Sequence, residues 1–105
     1  MDISFADADL AALCNSKRRM TARWGVEGFS LVSRRLCELA AVDGSEVAHL
    51  PLAAIASDDD GSVAIDFDRG GLTVVAIPLE GNEPIHDIRR ADGVRIVNLS
   101  VGGVT

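Results

Sequence analysis

Residues 62–78 read SVAIDFDRGGLTVVAIP, and this stretch decides the fold. Val63, Ile65 and Phe67 alternate with Ala64 and Asp66, the period-two pattern of a strand with one buried face. A second apolar run, Leu72–Pro78, begins after Asp68-Arg69-Gly70-Gly71. Glycines tolerate the positive φ angles of a tight loop, so these four residues predict a hairpin. Strands joined by so short a link are antiparallel neighbours. Val94–Val101 supplies a third run of the same kind, after a longer polar connection over Leu79–Gly93 that holds Glu80-Gly81-Asn82-Glu83-Pro84.

Upstream of this sheet the pattern turns helical. Met1–Phe5 alternates Ile3 and Phe5 against Asp2 and Ser4, which suits an edge strand. Asp7 is placed to cap a helix, and Leu10, Leu13, Cys14, Lys17 and Trp24 recur at three- and four-residue steps as far as Gly25. Gly25 and Gly28 bracket a turn. A second helix carries Phe29, Val32, Leu36, Leu39 and Ala40 on one face and ends at Asp43-Gly44. Ser45–Ala56, with Pro51, reads as a connector with one helical turn, and Ser57–Gly61 as a turn. The expectation is one α+β domain over residues 1–105: an N-terminal strand and an antiparallel helical hairpin packed on a curved antiparallel sheet of about four strands.

Composition narrows the function classes. Apolar residues make up 48% of the chain and charged ones 25%, as in a globular domain, with no apolar run near the roughly 20 residues of a bilayer span. No membrane partner is expected, and the cytoplasm is the expected compartment. Phe5, Trp24, Phe29 and Phe67 are the only aromatics, so the core falls to Leu, Ile, Val and Ala. Cys14 and Cys37 both fall in helical patterns and read as buried free thiols. Charge is segregated. Residues 1–40 carry a net +1, residues 41–105 a net −7, and Lys17, Arg18, Arg19, Arg23, Arg34 and Arg35 account for six of the ten cations. An acidic sheet half repels phosphate.

The order of elements and several local patterns resemble the RelE/ParE-like toxins of bacterial toxin–antitoxin pairs, in particular the HigB-type, or plasmid maintenance killer, branch. Met1–Ala6 followed by Asp9–Cys14 is similar to that branch's opening strand and "L..LC" helix. Arg23-Trp24-Gly25-Val26-Glu27-Gly28 is similar to its "kWG.eg" junction, and Arg34–Leu39 to its "rRRL.eL" second helix. Leu50-Pro51, Gly61, Ala64–Phe67 and Gly70-Gly71 sit where the family has a Leu-Pro, a "KGDR.GQ" segment, a strand and a "GGwRLiFeP" hairpin, and Val94–Leu99 resembles its "VrIleI" strand. The resemblance spans nearly the whole chain. It implies a cognate antitoxin as partner and, in most branches, cleavage of messenger RNA on the ribosome. That transphosphorylation needs a base for the 2′-hydroxyl, cations on the phosphate and an acid for the leaving oxygen.

The chain departs from the family where this chemistry would be housed. The lysine and arginine of "KGDR.GQ" are Ala56 and Asp59, the hairpin arginine is Thr73, and the terminal "DYH" aligns with Val101-Gly102-Gly103. Each change removes a donor or a cation. A replacement cluster would have to come from His86, Arg89, Arg90 and Arg95, with Arg69 beside them; the plainer reading is a solvated loop paired to Asp87 and Asp92. Lys17, Arg18, Arg19, Arg23, Arg34 and Arg35 read as a stripe on the helical hairpin for ribosomal RNA or an acidic partner segment, or as ordinary solvated faces; arginine's planar fork suits phosphate and carboxylate alike. Asp58-Asp59-Asp60 matches no calcium loop, and the cysteines and histidines match no zinc spacing, so no metal and no cofactor is expected. His49 reads as structural.

The expected function is therefore a toxin-like component, degenerate at the RNase site, that acts by contact with an antitoxin. The antitoxin would cover apolar surface between Val74, Ile77 and Val97 or add a strand to a sheet edge. The alternatives are a ribosome-dependent mRNA endoribonuclease with relocated residues and a catalytically dead decoy. The oligomeric state is open, a homodimer included.

Overall fold

A computed structural model describes residues 1–102. In chain order the elements are β1 (Asp2–Phe5), α1 (Ala8–Cys14), α2 (Lys17–Ala41), β2 (Ala53–Ser57), β3 (Val63–Phe67), β4 (Leu72–Glu80), β5 (Glu83–Pro84) and β6 (Gly93–Val101). Short 3-10 turns cover Gly44–His49, Asp68–Gly70 and Ile88–Arg90. The chain is α+β, with its helices on one face of the sheet.

The sheet is mixed and has six strands, where an antiparallel sheet of about four was expected. Its order is β1-β6-β4-β3-β2, with β5 paired to the end of β4. β1 runs parallel to β6, from Asp2 beside Gly93 to Phe5 beside Ile96, and every other pairing is antiparallel. A parallel neighbour needs a long crossover, and the helices supply the start of one. The β3–β4 hairpin forms as its sequence predicts, with Phe67 opposite Leu72. β2 falls inside the stretch read as a connector, and the Glu80–Pro84 part of the polar connection folds back as β5.

Alternation along the strands sets the core. Val63, Ile65 and Phe67 of β3, Leu72, Val74 and Ala76 of β4, and Val94, Ile96 and Leu99 of β6 are buried against Leu13, Met20, Val32 and Leu39 of the helices. Each fully buried Val, Leu, Ile or Phe side chain contributes about 1.5–3 kcal/mol. A β-bulge leaves Val97 without an opposite residue, because Val75 pairs with Asn98 and Ala76 with Ile96. The bulge moves the core-facing parity from Ile96 to Leu99. Val74 therefore faces the core, and Val75 and Ile77 take the outer face.

The helices break where capping chemistry allows. Asp7 caps α1, its carboxylate accepting the Leu10 N–H at 2.7 Å. The first helix does not run on to Gly25, however: Asn15 ends it, and the Ser16 hydroxyl accepts the Arg19 N–H at 3.2 Å to start α2. α2 is sharply bent at Gly25, whose φ of 77° and ψ of 174° lie outside the helical region. The Lys17 ammonium lies 5.5 Å from the Phe29 ring centre, although a straight helix would set these residues about 18 Å apart along its axis. The chain thus turns sharply at Gly25, the residue at which the sequence predicts the break between its helices. The second half of α2 ends beside β1, where the Met1 amino group donates to the carbonyls of Ala40 (2.9 Å) and Val42 (2.7 Å).

Gly44 is where the Gly44–His49 turn packs on the Ile88–Arg90 turn. A side chain there would meet the Ile88 carbonyl at 2.1 Å and that of Ala91 at 2.7 Å, so only glycine permits this approach. Cys37 is exposed on α2, contrary to its expected burial, while Cys14 is half-buried and its thiol is pushed up to about 11 by desolvation. No helix of the described residues is long and apolar enough to cross a membrane.

Candidate functional site

Strand β4 fixes where the proposed catalytic residues can meet. Arg69 sits in the β3–β4 loop, ahead of Leu72, whereas Arg90 reaches Glu80 at the far end of the same strand. Eight residue steps of β4 put these two ends about 26 Å apart. Arg69 therefore stands apart from the cluster it was expected to join.

His86 and Arg89 do come together. They line an open hollow of about 520 Å³ whose apolar walls are Ala48, Ile55 and Ile88. The turn Ile88–Arg90 is held by the Asp87 carboxylate, which accepts the Arg89 N–H at 3.0 Å. The same carboxylate takes both arms of the Arg89 guanidinium, Nε at 3.0 Å and Nη2 at 3.1 Å. This pairing holds the Asp87 carboxyl below its usual range and raises the Arg89 guanidinium. Arg90 turns away and donates to Glu80 at 3.0 Å. The His86 ring borders the acidic turn, 3.7 Å from where a side chain on Gly61 would begin. In that turn Asp60 accepts from the Ser62 hydroxyl at 2.6 Å and the Ser62 N–H at 3.0 Å, which lowers its pKa.

Arg95 belongs to neither place. It lies half-buried on the face of the sheet turned away from the helices, between Ile77 of β4 and Ser4 of β1. That face carries Ala54 and Ala56 of β2, Ala64 and Asp66 of β3, Thr73, Val75 and Ile77 of β4, and Asn98 and Ser100 of β6. Thr73 donates its hydroxyl to Asp66. Among the described residues Arg95 is the one cation on a strand of this face. Of the positions aligned with the family's terminal segment, Gly103 lies outside the described residues.

The helical cations separate into two kinds. Lys17, Arg18, Arg19, Arg23 and Arg34 are exposed, with Lys17 over Phe29 and Arg34 3.9 Å from Glu38. Arg35 is only 4% exposed and contributes nothing to a surface stripe. Its Nη2 and Nε donate to the two Asp68 oxygens at 2.8 and 3.4 Å, its Nη1 to Glu38 at 2.9 Å, and it stacks 4.8 Å from the Phe67 ring centre. The Asp68 hydrogen bond is the main cause that raises its pKa. Asp68 and Arg69 both have left-handed backbones, φ 56° and 57°, and the Arg35 fork pins that loop to α2. Arg23 borders a second hollow, about 280 Å³, with Asp7, Asp9, Leu10, Val97 and Asn98. There Asp7 is already spent as a helix cap.

Chemically, the large hollow offers one imidazole and one guanidinium already neutralised by a carboxylate. Phosphoryl transfer asks for uncompensated cations aimed at one oxygen, and that set does not assemble. Among the described residues no group of three or more His, Cys, Asp or Glu could hold a metal ion. Sequence reading missed the outermost strand β2, whose residues Ile55 and Ser57 also line the hollow. Comparison with protein-family models, curated proteins and solved structures finds no match to this chain.

Proposed function

We propose that the chain is a toxin-like component of a toxin–antitoxin pair that works by protein contact and has lost RNA-cutting chemistry. The observation that carries this reading is the dispersal and neutralisation of its arginines. Arg35 is spent on Asp68 and Glu38, Arg89 on Asp87 and Arg90 on Glu80, while Arg69 and Arg95 lie apart and make no ion pair among the described residues. The outer sheet face offers a cognate partner a broad platform instead, with Val75 and Ile77 as apolar contacts and Arg95 beside them. A partner segment that is apolar with acidic residues fits this face.

Expression of the chain alone in a bacterium, with transcript mapping, tests the proposal. Arrest with intact transcripts supports it, normal growth favours the catalytically dead decoy instead, and cleavage of ribosome-bound transcripts sinks it. One observation favours a second reading as an endoribonuclease: His86 and Arg89 share a hollow. Under that reading His86→Ala or Arg89→Ala abolishes cleavage and toxicity together; under the first, both variants behave as the parent chain.

A further inference from the structure

The outer edge of β2 is built to pair with another strand. It is the last strand of the sheet, reads Ala53-Ala54-Ile55-Ala56-Ser57, and carries no charge and no proline. A charge or a proline is among the devices with which natural sheets guard such an edge. Its hydrogen-bond parity can be read from its ends. The Asp58 N–H donates to Ser62 and the Asp68 N–H to Leu52, so the even-numbered residues of this strand bond inward to β3. Ile55 and Ser57 therefore turn their N–H groups outward, as Ala53, Ile55 and Ser57 turn their carbonyls.

We propose that β2 is the seam of a symmetric homodimer in which two copies pair antiparallel about Ile55 and extend one sheet through both. This register opposes Ile55 to Ile55 and Ala53 to Ser57 of the second copy. It allows four main-chain hydrogen bonds: Ile55 N–H to the Ile55 carbonyl and Ser57 N–H to the Ala53 carbonyl, each in both directions. Small side chains at Ala54 and Ala56 leave nothing to obstruct the approach on the outer face. Local charge complementarity at the two seam ends, set against the overall −6 of each copy, marks a second copy in this register as the occupant. The register sets Asp58 of one copy opposite Leu52 of the other, and Leu52 is bonded to the loop that carries Arg69. Arg69 is exposed and makes no ion pair among the described residues, so each seam end brings an acidic turn to an unengaged cation. Leu52, 58% exposed at φ 58°, is the apolar residue that the same contact covers. This inference does not depend on the toxin reading.

Sedimentation velocity between about 10 µM and 1 mM, with amide exchange at both ends of the range, tests it. The mass should rise from 11.0 kDa toward twice that value with concentration. Protection should grow at least about tenfold at the Ile55 and Ser57 amides, while the inward-bonded Ala54 and Ala56 amides stay protected throughout. Ser57→Pro removes only an outward donor and should leave the chain monomeric with unchanged circular dichroism; Ala56→Lys, on the exposed outer face, should do the same if the proline variant misfolds. Register is tested in a Cys37→Ser background by mixing Ala54→Cys chains with Ala56→Cys chains. The mixture should cross-link on oxidation, because residues 54 and 56 oppose each other across the seam, while either variant alone should not. A monomer at 1 mM, a dimer indifferent to both edge variants, or concentration-independent exchange at Ile55 and Ser57 would each overturn the proposal.

Discussion

Replacing Arg35 tests how α2 is fastened to the β3–β4 loop. Arg35→Met keeps most of the aliphatic stem and removes the fork, while Asp68→Asn keeps the shape of its partner and a side chain that tolerates the left-handed backbone. Charge-assisted hydrogen bonds contribute about 1.5–3 kcal/mol each when desolvated. The Asp68 side chain is 26% exposed, so water recovers part of that, and about 2 kcal/mol of coupling should survive. Stacking on Phe67 adds about 1 kcal/mol that only the arginine variant loses. Arg35→Met should therefore cost about 3 kcal/mol and Asp68→Asn about 2. The double variant should cost about 3 rather than about 5, because both remove the same contact. With a urea m-value near 1.3 kcal/mol/M for a domain of this size, the Arg35→Met midpoint should fall by about 2 M. A coupling below about 0.5 kcal/mol, or a total loss below about 1 kcal/mol, would refute the claim that this pair fastens the loop.

Three smaller tests follow from the same geometry. Gly44→Ala should drive the 3-10 turns at Gly44 and Ile88 apart, at a cost of about 2–3 kcal/mol and a fall in Tm of roughly 10–15 °C; an unshifted melt would show that the turns part freely. In the native chain at pH 8 an alkylating reagent should label one thiol, Cys37. Cys14, with its pKa near 11, is about 0.1% thiolate and should react only in urea. The Asp60 and Asp87 carboxyls should titrate below the ordinary aspartate range in the folded chain by carbon NMR. Because folding lowers both values, their contribution is present above the ordinary carboxylate range and is lost as pH falls through the folded values. Ser62→Ala should raise the Asp60 midpoint, and an unmoved midpoint would remove the hydroxyl as its cause.

What was legible in the sequence follows from how local each signal is. The β3–β4 hairpin could be read because alternation and the glycine pair sit within ten residues. β2 could not, because Ala53-Ala54-Ile55-Ala56-Ser57 has little intrinsic strand preference; its ladder to β3 makes it a strand. The parallel pairing of β1 lies ninety residues away and leaves no local mark. Two signals were present and passed over. Asn15-Ser16 marks a helix end followed by a cap, and Gly81-Asn82, both at positive φ, marks the tight turn into β5. Among the cations, Arg34 and Arg35 are neighbours in sequence and opposites in place, with side chains 63% and 5% exposed. One helical step of about 100° divides them, and the carboxylate that claims Arg35 is 33 residues further on.

The charge imbalance that was plain in the sequence also governs how the proposed seam should respond to salt. Two copies, each at −6 and taken as one molecular width of 28 Å apart, repel by about 5 kcal/mol in unscreened water. At 10 mM salt, with a Debye length of about 30 Å, roughly 2 kcal/mol of that survives, and at 150 mM almost none does. The two approaches of Asp58 to the loop of Arg69 act in the opposite sense, yet exposed pairs are worth at most about 1 kcal/mol each and are only partly screened over that range. Relief of repulsion wins by about 1 kcal/mol. Dimerisation should then strengthen about fivefold between 10 and 150 mM sodium chloride, whereas an interface held mainly by ion pairs would weaken. A seam that loosens as salt is added would mean that the acidic turn, rather than the β2 backbone, holds the copies together.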